Sequence, residues 1–281
     1  MRIGIHMHLK KGFAHNLQKA KEAGAETIQI FSGNPRSWSS PTTSPEEVKE
    51  RSLLMKKEGI FPLAIHTTYL INLASVHPEF YRKSTRLLHE TLYHASLYPE
   101  PFVVLHVGNH GGAGTTEGIK KAVRSLEDEL SGGWAPGVIL LLENTAGGGH
   151  HLGGDIKELG LILRHFQGAP IGFCLDTAHA WAAGYDLSGA EGVEQLLTEI
   201  DREIGLERLH LIHANDTKVE RGSKHDRHAH IGEGRIGLEG FRSLLRYDWP
   251  DDFPMILETP EIGTAKDKQN ISALRNCMSQ G

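Results

Sequence analysis

Between residues 102 and 142 the chain reads Phe102-Val103-Val104-Leu105-His106-Val107, then shows helical spacing of apolar residues from Glu117 to Leu130, then reads Val138-Ile139-Leu140-Leu141-Leu142. Both outer runs are continuously apolar, which is typical of parallel strands that are buried on both faces. Parallel strands must be joined by a crossover, and the amphipathic segment between these two supplies one. The stretch therefore predicts one strand–helix–strand unit.

The same alternation extends in both directions along the chain. The predicted strands are Ile3–His8, Thr27–Phe31, Phe61–His66, Phe102–Val107, Val138–Leu142, Ile171–Asp176, Leu209–Ala214 and Met255–Leu257. The predicted helices are Ala14–Ala23, Pro45–Glu58, Glu79–Leu97, Glu117–Leu130, Ile156–Phe166, Val193–Ile204, Leu238–Leu245 and Ala265–Met278. Eight alternating pairs predict an α/β fold, a closed TIM (β/α)8 barrel, with a doubly wound open sheet as the alternative.

We expect a single catalytic domain over residues 1–281, because the sequence contains no repeat, low-complexity tract or Pro/Gly/Ser linker that would separate two domains. The longest irregular stretch, Thr217 to Gly237, is rich in charged residues and glycine. Long loops in compact domains tend to be functional. No signal peptide or long apolar segment is present, so we expect a cytoplasmic protein.

Composition restricts the chemistry. Only two cysteines are present, Cys174 and Cys277, so a disulfide framework or cysteine-ligated zinc is excluded and any metal must be held by histidine and carboxylate. The formal charge of −5 argues against DNA binding through a broad basic surface. Three divalent ions would change that charge to about +1 and would concentrate the added charge in one cleft.

Acidic or imidazole side chains stand at the carboxyl ends of six successive predicted strands. They are His66, His106, Glu143, Asp176, His213 and Glu258. In a closed barrel these strand ends converge on the face that carries the chemistry. A single histidine after a strand is more often a hydrogen-bonded structural residue, but three carboxylates and three imidazoles around one cavity need a positive charge between them.

A metal cluster satisfies that requirement. Zinc accepts histidine nitrogen and carboxylate oxygen, and manganese is also accepted by carboxylate-rich sites. Two further groups extend the candidate ligand set: His179, three residues after Asp176, and the pair Asp226 and His228, whose side chains project to the same side of an extended segment.

Nine stretches of this sequence together resemble the endonuclease IV family, nearly from end to end. They are FSGNPRSW at Phe31–Trp38, HTTYLINL at His66–Leu73, LHVGNH at Leu105–His110, LENTAG at Leu142–Gly147, FCLDTAHAWAAGYD at Phe173–Asp186, NDTK at Asn215–Lys218, DRH at Asp226–His228, IGEGRIG at Ile231–Gly237 and LETP at Leu257–Pro260.

The resemblance implies a TIM barrel that binds three Zn²⁺ ions, with Mn²⁺ possible at some sites. One ion would be held by His66, His106 and Glu143; a second by Glu143 as a bridge with Asp176, His213 and Glu258; the third by His179, Asp226 and His228. Glu143 and Glu258 would fix the metals and orient a hydroxide, while Asp176 and the histidines would set the coordination geometry. All nine side chains are present.

By the same resemblance the activity is that of a DNA-repair endonuclease in base excision repair. It would hydrolyse the phosphodiester bond 5′ to abasic sites in duplex DNA, leaving 3′-hydroxyl and 5′-deoxyribose phosphate ends, with 3′-phosphodiesterase and 3′-phosphatase activity. Family analogy implies a monomer.

Recognition of damaged DNA needs side chains that enter the duplex, and Arg36, Tyr69 and Leu70 are the candidates by resemblance. The structural alternative is that Tyr69 and Leu70 begin a buried helical turn. Lys218 and Arg227, with other cations of the Thr217–Gly237 stretch, are candidates for phosphate contacts, although a solvated charged loop has the same sequence pattern.

Two other functions compete with this interpretation. Sugar isomerases and epimerases of related fold also place carboxylates and histidines around one or two metals, but they need neither a third site nor a DNA wedge. A non-catalytic metal-binding or DNA-binding module is the second alternative, and an incision assay separates it from an enzyme.

Overall fold

The computed structural model describes residues 1–279 of the chain, and its centre is a closed barrel of eight parallel strands. The barrel strands are β1 (Arg2–His6), β2 (Thr27–Phe31), β3 (Leu63–His66), β4 (Phe102–His106), β5 (Ile139–Glu143), β6 (Ile171–Asp176), β7 (Leu209–His213) and β10 (Pro254–Leu257). They follow one another around the barrel in chain order, and β10 pairs with β1 to close it.

Helices pack around the outside of the barrel, and the short α6 continues directly from the carboxyl end of β6. They are α1 (Phe13–Ala23), α2 (Pro45–Glu58), α3 (Pro78–Ala95), α4 (Thr115–Ser131), α5 (Ile156–Leu163), α6 (Thr177–Ala183), α7 (Ala190–Glu203), α8 (Gly237–Leu245) and α9 (Ala265–Ser279). Two short strands, β8 (Asp216–Thr217) and β9 (His228–Ala229), form an antiparallel hairpin. In the described part of the chain, no helix is long and apolar enough to cross a membrane.

Closure of the sheet confirms the predicted TIM barrel, and the open doubly wound sheet is wrong. The physical reason lies in the two faces of each strand. One face packs under the helices in the main hydrophobic core, and the other fills the barrel interior. The buried interior cluster is formed by Ala64, Val104, Leu141, Cys174, Leu211 and Ile256. Because both faces of each strand are buried, the strands appear in the sequence as unbroken apolar runs.

Most predicted elements match within two residues, but α5 ends at Leu163 rather than Phe166, where the chain continues as a 3₁₀ turn, and α7 begins at Ala190 rather than Val193. β3 begins at Leu63 rather than Phe61, where Pro62 lacks a backbone donor. β1 ends at His6 rather than His8. Helix α6 was not predicted, because six of its seven residues are buried and its sequence carries no amphipathic period. The β8–β9 hairpin, also unpredicted, lies within or beside the irregular Thr217–Gly237 stretch.

Candidate metal centre

The carboxyl ends of six strands bring ligand-type side chains together at one end of the barrel. Five of these residues are the last residues of β3 to β7, and Glu258 directly follows β10. Three groups have one ligand atom per residue within 4.8 Å of one another: His66, His106 and Glu143; Glu143, Asp176, His213 and Glu258; and Asp176, His179 and His228. The first two groups coincide with sets expected from the sequence.

The third group contains Asp176 where the sequence suggested Asp226. Asp226 nevertheless lies beside both histidines, with its carboxylate oxygens 3.3 Å from His179 Nε2 and 3.2 Å from His228 Nε2. Asp176 Oδ2 is 3.7 Å from the same His228 nitrogen. Four candidate donors therefore surround this position, and Asp176 lies between the second group and the third.

Each of four imidazoles has one nitrogen hydrogen-bonded to an oxygen that can only accept. The Nδ1–H of His66 donates to the Thr67 carbonyl, that of His179 to the Asn144 carbonyl and that of His228 to the Glu258 carbonyl, at 2.8, 3.1 and 3.0 Å. His213 uses the other nitrogen, since its Nε2–H donates to the side-chain oxygen of Gln29 at 2.8 Å. In the neutral ring the remaining nitrogen carries a lone pair.

Those remaining nitrogens face carboxylates. His66 Nε2 is 3.1 Å from Glu143 Oε2, and His213 Nδ1 is 2.9 Å from Glu143 Oε1. A lone pair and a carboxylate repel unless a cation or a proton lies between them. Within residues 1–279, the buried His106 Nδ1 and His228 Nε2 have no hydrogen-bond partner. The donor set thus fits divalent cations, with second partners that fix four of its five imidazole rings as metal-ligating histidines require.

The contacts between imidazoles and carboxylates also shift the pKa values of the centre. Burial alone would lower the pKa of His228, but the adjacent carboxylates of Asp226 and Asp176 outweigh it and raise that pKa to about 9. The surrounding imidazoles hold the pKa of Glu143 well below its usual value, although burial opposes this. The imidazoles therefore favour the anionic form of Glu143, whereas burial raises the pKa of Asp176.

Comparison with known proteins identifies the family. The family model described as xylose isomerase-like TIM barrel matches residues 17–277. A protein from Natranaerobius thermophilus named "Probable endonuclease 4" is 45% identical, and the match covers 100% of this chain and 99% of that protein. The chain belongs to the endonuclease IV family.

Solved structures agree with this membership in the endonuclease IV family. The crystal structure of endonuclease IV from Thermus thermophilus has a TM-score of 0.84 and 35% sequence identity, and the match covers 100% of both chains. A D-tagatose 3-epimerase-like protein matches with a TM-score of 0.74 at 20% identity over 100% of this chain and 99% of that one. The second likeness shows the fold alone.

Within this endonuclease IV family member, side-chain amides that sequence reasoning missed hold the ligands in place. Asn215 Nδ2 donates to Asp176 Oδ2 at 2.6 Å, and its Oδ1 accepts from the Glu258 amide at 2.7 Å. Asn144 Oδ1 accepts from the Asp176 amide at 2.7 Å. The available signal was position, since Asn144 follows Glu143 directly and Asn215 comes two residues after His213.

Short helix α6 is tied to the centre by its own N-cap. Asp176 Oδ1 accepts the backbone N–H of His179 at 2.7 Å, so one carboxylate caps the helix while its other oxygen faces the metal groups. This cap places the His179 ring one turn above the strand end. The DTAH motif at residues 176–179 thus encodes both a helix start and two candidate ligands.

Two of the predicted DNA-contacting side chains, Tyr69 and Leu70, form a rim beside the centre. Tyr69 is 59% exposed and lies in a turn, so the buried-helix alternative for Tyr69 and Leu70 is wrong. Its ring contacts Phe31 and His66, at centroid distances of 5.4 and 5.7 Å. The Pro35 carbonyl accepts from the Tyr69 amide at 3.1 Å and from the Thr68 hydroxyl at 2.7 Å, which ties the loop carrying Arg36 to the loop carrying Tyr69.

A cavity of about 770 Å³ opens between this rim and the centre, and its lining includes Trp38, Tyr69, Leu70, His106, His179 and Asp226. The side chains of Arg36, Lys218 and Arg227 are exposed. Arg221 and Arg235, by contrast, form ion pairs with Asp186 and Glu220. Among the cations of the long loop, Lys218, Lys224 and Arg227 therefore keep side-chain charge that no carboxylate in the described residues pairs.

Proposed function

We propose that this chain is a metal-dependent DNA-repair endonuclease that hydrolyses the phosphodiester bond 5′ to abasic sites. The products are a 3′-hydroxyl and a 5′-deoxyribose phosphate, and the same site trims blocked 3′ ends. Full-length similarity to proteins named endonuclease 4 supports this assignment. The observation that carries it is the shared, fully buried Glu143 carboxylate, which faces imidazole nitrogens of three strands.

The proposed cofactor is a set of three Zn²⁺ ions, with Mn²⁺ as an accepted substitute. His66, His106 and Glu143 would hold one ion; Glu143, Asp176, His213 and Glu258 a second; His179, His228 and Asp226, with Asp176 beside them, the third. Bound divalent ions supply Lewis acidity that polarises a phosphate and acidifies water.

The three candidate catalytic carboxylates differ in what they can touch. Glu143 and Asp176 are completely buried, whereas the Glu258 side chain is 16% exposed. Glu258 is therefore the carboxylate that can contact the attacking water or the substrate, and it orients that water for displacement. Glu143 and Asp176 keep the ligand groups at fixed separation, because both are surrounded by hydrogen bonds from neighbouring strands.

Recognition of the lesion is assigned to the rim. Tyr69 and Leu70 would insert between base steps, with Arg36 on the adjoining loop, and an abasic nucleotide lowers the cost of that distortion because it is already partly unstacked. Lys218 and Arg227 would contact phosphates and set the orientation of the duplex.

The sugar isomerase or epimerase alternative is not favoured. Its support is likeness of fold at about one fifth identity, as with the D-tagatose 3-epimerase-like structure at 20%. A third ligand group and an exposed Tyr69 beside the cavity are features that a small-sugar site does not require.

An incision assay tests the proposal. The protein is incubated with a duplex carrying one abasic analogue that cannot undergo β-elimination, and the products are resolved on a sequencing gel. Incision on the 5′ side, abolished by chelation and restored by Zn²⁺, is the expected result. Glu258→Gln, which preserves side-chain size, should fold normally and lose at least about 100-fold in turnover.

Two outcomes would count against the assignment. Metal-loaded wild-type protein that leaves the abasic strand intact would redirect the search to sugar substrates. Near-normal turnover by Glu258→Gln would remove Glu258 from the catalytic role while leaving the endonuclease assignment in place.

A further inference from the structure

Gln29 is a polar side chain in the middle of an apolar strand. It lies in β2, whose sequence is Thr27-Ile28-Gln29-Ile30-Phe31, and it is completely buried. Its amide reaches three groups at the metal centre: His213 Nε2 at 2.8 Å, Glu258 Oε1 at 2.6 Å and His6 Nδ1 at 3.1 Å. A buried amide must be satisfied by such partners to be tolerated in a core.

The orientation of the Gln29 amide is fixed by chemistry. An ionised carboxylate can only accept, so the Gln29 NH₂ must face Glu258. The amide oxygen then faces His213, which must carry a hydrogen on Nε2. The other NH₂ hydrogen points to His6, whose Nδ1 accepts it. One residue thereby determines which nitrogen of His213 is free.

That free nitrogen is the one at the centre. His213 Nδ1 lies 2.9 Å from Glu143 Oε1 and 3.4 Å from Glu258 Oε2. The opposite tautomer would direct an N–H towards the ligand group and leave the lone pair of Nε2 against the oxygen of Gln29. Metal binding at the second group requires the first arrangement.

His213 differs in this respect from its neighbours. His66, His179 and His228 are oriented by backbone carbonyls, which no substitution removes. His213 is oriented by a side chain. The tautomer of His213 therefore depends on one side chain, that of Gln29, which can be substituted and is not itself a candidate ligand.

We propose that Gln29 is a positioning residue of the second ligand group. It selects the His213 tautomer with a free Nδ1, and it holds Glu258 against the same group. What Gln29 affects directly is metal binding. The inference rests on the proposed function only for the reaction that the bound metal would serve.

The test compares two substitutions with a matched control. Gln29→Met keeps the length of the side chain and removes both hydrogen-bonding functions. Gln29→Glu keeps an oxygen for His213 and replaces the donor to Glu258. Thr27→Val is the control, because Thr27 is equally buried in the same strand but its hydroxyl donates to the Pro62 carbonyl, away from the centre.

Two readouts separate positioning from general packing. The affinity for Co²⁺ is measured by competition with a chelator, together with the visible spectrum, and the His213 tautomer is read from ¹⁵N shifts of the metal-free protein at alkaline pH, because a bound ion would itself fix the tautomer. For Gln29→Met we expect one ion bound about 10- to 100-fold more weakly and loss of the single tautomer. Gln29→Glu should keep the tautomer but still bind that ion more weakly. Thr27→Val should match the wild type.

Full affinity for every ion with an unchanged spectrum in Gln29→Met would overturn the proposal. So would an equal loss in Thr27→Val, since that would show a packing effect. Neither readout involves DNA. A wild-type protein that fails to incise abasic DNA would therefore leave this inference standing, and an unaffected Gln29→Met would leave the endonuclease assignment standing.

Discussion

His228 and His210 are both partly buried histidines, yet their pKa values are displaced in opposite directions. Carboxylates next to His228 overcome its burial and raise its pKa to about 9. His210 has no such partner in contact, and burial followed by the nearby Arg208 lowers its pKa from the usual 6.5. Its ring stacks with Phe102 at 6.0 Å and covers Gly172, where a Cβ atom would lie 2.4 Å from the ring.

His210 should therefore make the protein less stable in acid. Its folded pKa lies below the unfolded value, so the unfolded chain binds more protons as pH falls below about 6.5, and the free energy of unfolding decreases. His210→Gln removes this titration. The measurement is urea unfolding of chelator-treated protein at about pH 7.5 and 5.5. We expect a smaller difference between the two pH values in the variant, and an equal difference would refute the prediction.

The candidate ligands could be predicted from sequence because each stands at the end of a recognisable strand or in a specific motif. The residues that orient them could not. Gln29 is one amide inside an apolar run, and its role depends on the register that places β2 two strands away from Glu258 across β1. The signal in the sequence was a side-chain amide inside a buried strand, although the sequence does not show which residues that amide contacts.

At the scale of elements, the long loop is organised by one buried carboxylate. Asp216 lies in β8 and accepts backbone N–H groups of Thr217, Gly232, Gly234, Ile236 and Gly237. A Cβ on Gly234 would lie 2.3 Å from Asp216 Oδ1, so glycine is required for this approach. The loop in turn carries Asp226 and His228, with β8 and β9 paired beside them.

Asp216→Asn should loosen this loop and weaken the third ligand group. An amide NH₂ facing backbone donors leaves buried N–H groups unsatisfied, at about 1–3 kcal/mol of stability. We expect less metal per chain by atomic emission and faster proteolysis between residues 217 and 237. Asp155→Asn is the matched control, since Asp155 caps α5 and asparagine caps equally well. Unchanged metal content in Asp216→Asn would show that the loop is held by other contacts.

Helix α6 and the β8–β9 hairpin are the elements that the sequence pattern could not predict. Periodicity detects a helix with one apolar face, whereas Thr177–Ala183 is buried nearly all round. The strands of the hairpin are two residues long and are held by loop contacts. Both lie next to the candidate ligands, and functional sites are where local sequence patterns most often fail to match the structure.

For the whole molecule, the barrel was predictable because eight buried strands impose the same apolar pattern eight times. Its binding properties are less evident from composition. The formal charge of −5 opposes association with DNA, while the proposed ions would place positive charge in the cleft that faces the substrate.

DNA affinity should consequently depend on metal loading. We expect removal of the ions to weaken binding to an undamaged duplex by at least about tenfold at low salt, because repulsion from the acidic protein is then uncompensated. Fluorescence anisotropy of loaded and chelator-treated protein at about 50 and 200 mM salt measures this. Equal affinity of the two forms would show that Lys218, Arg227 and the other exposed cations suffice for non-specific binding.

Each of the four oriented imidazoles already has its ring direction set by a bond within the protein. The loss of side-chain freedom at these residues thus occurs during folding rather than during uptake of an ion. Exchange of one divalent cation for another then requires little rearrangement of the surrounding shell. Stripping and reloading the protein should be a reversible cycle, with uptake limited by how fast the incoming ion sheds its own water.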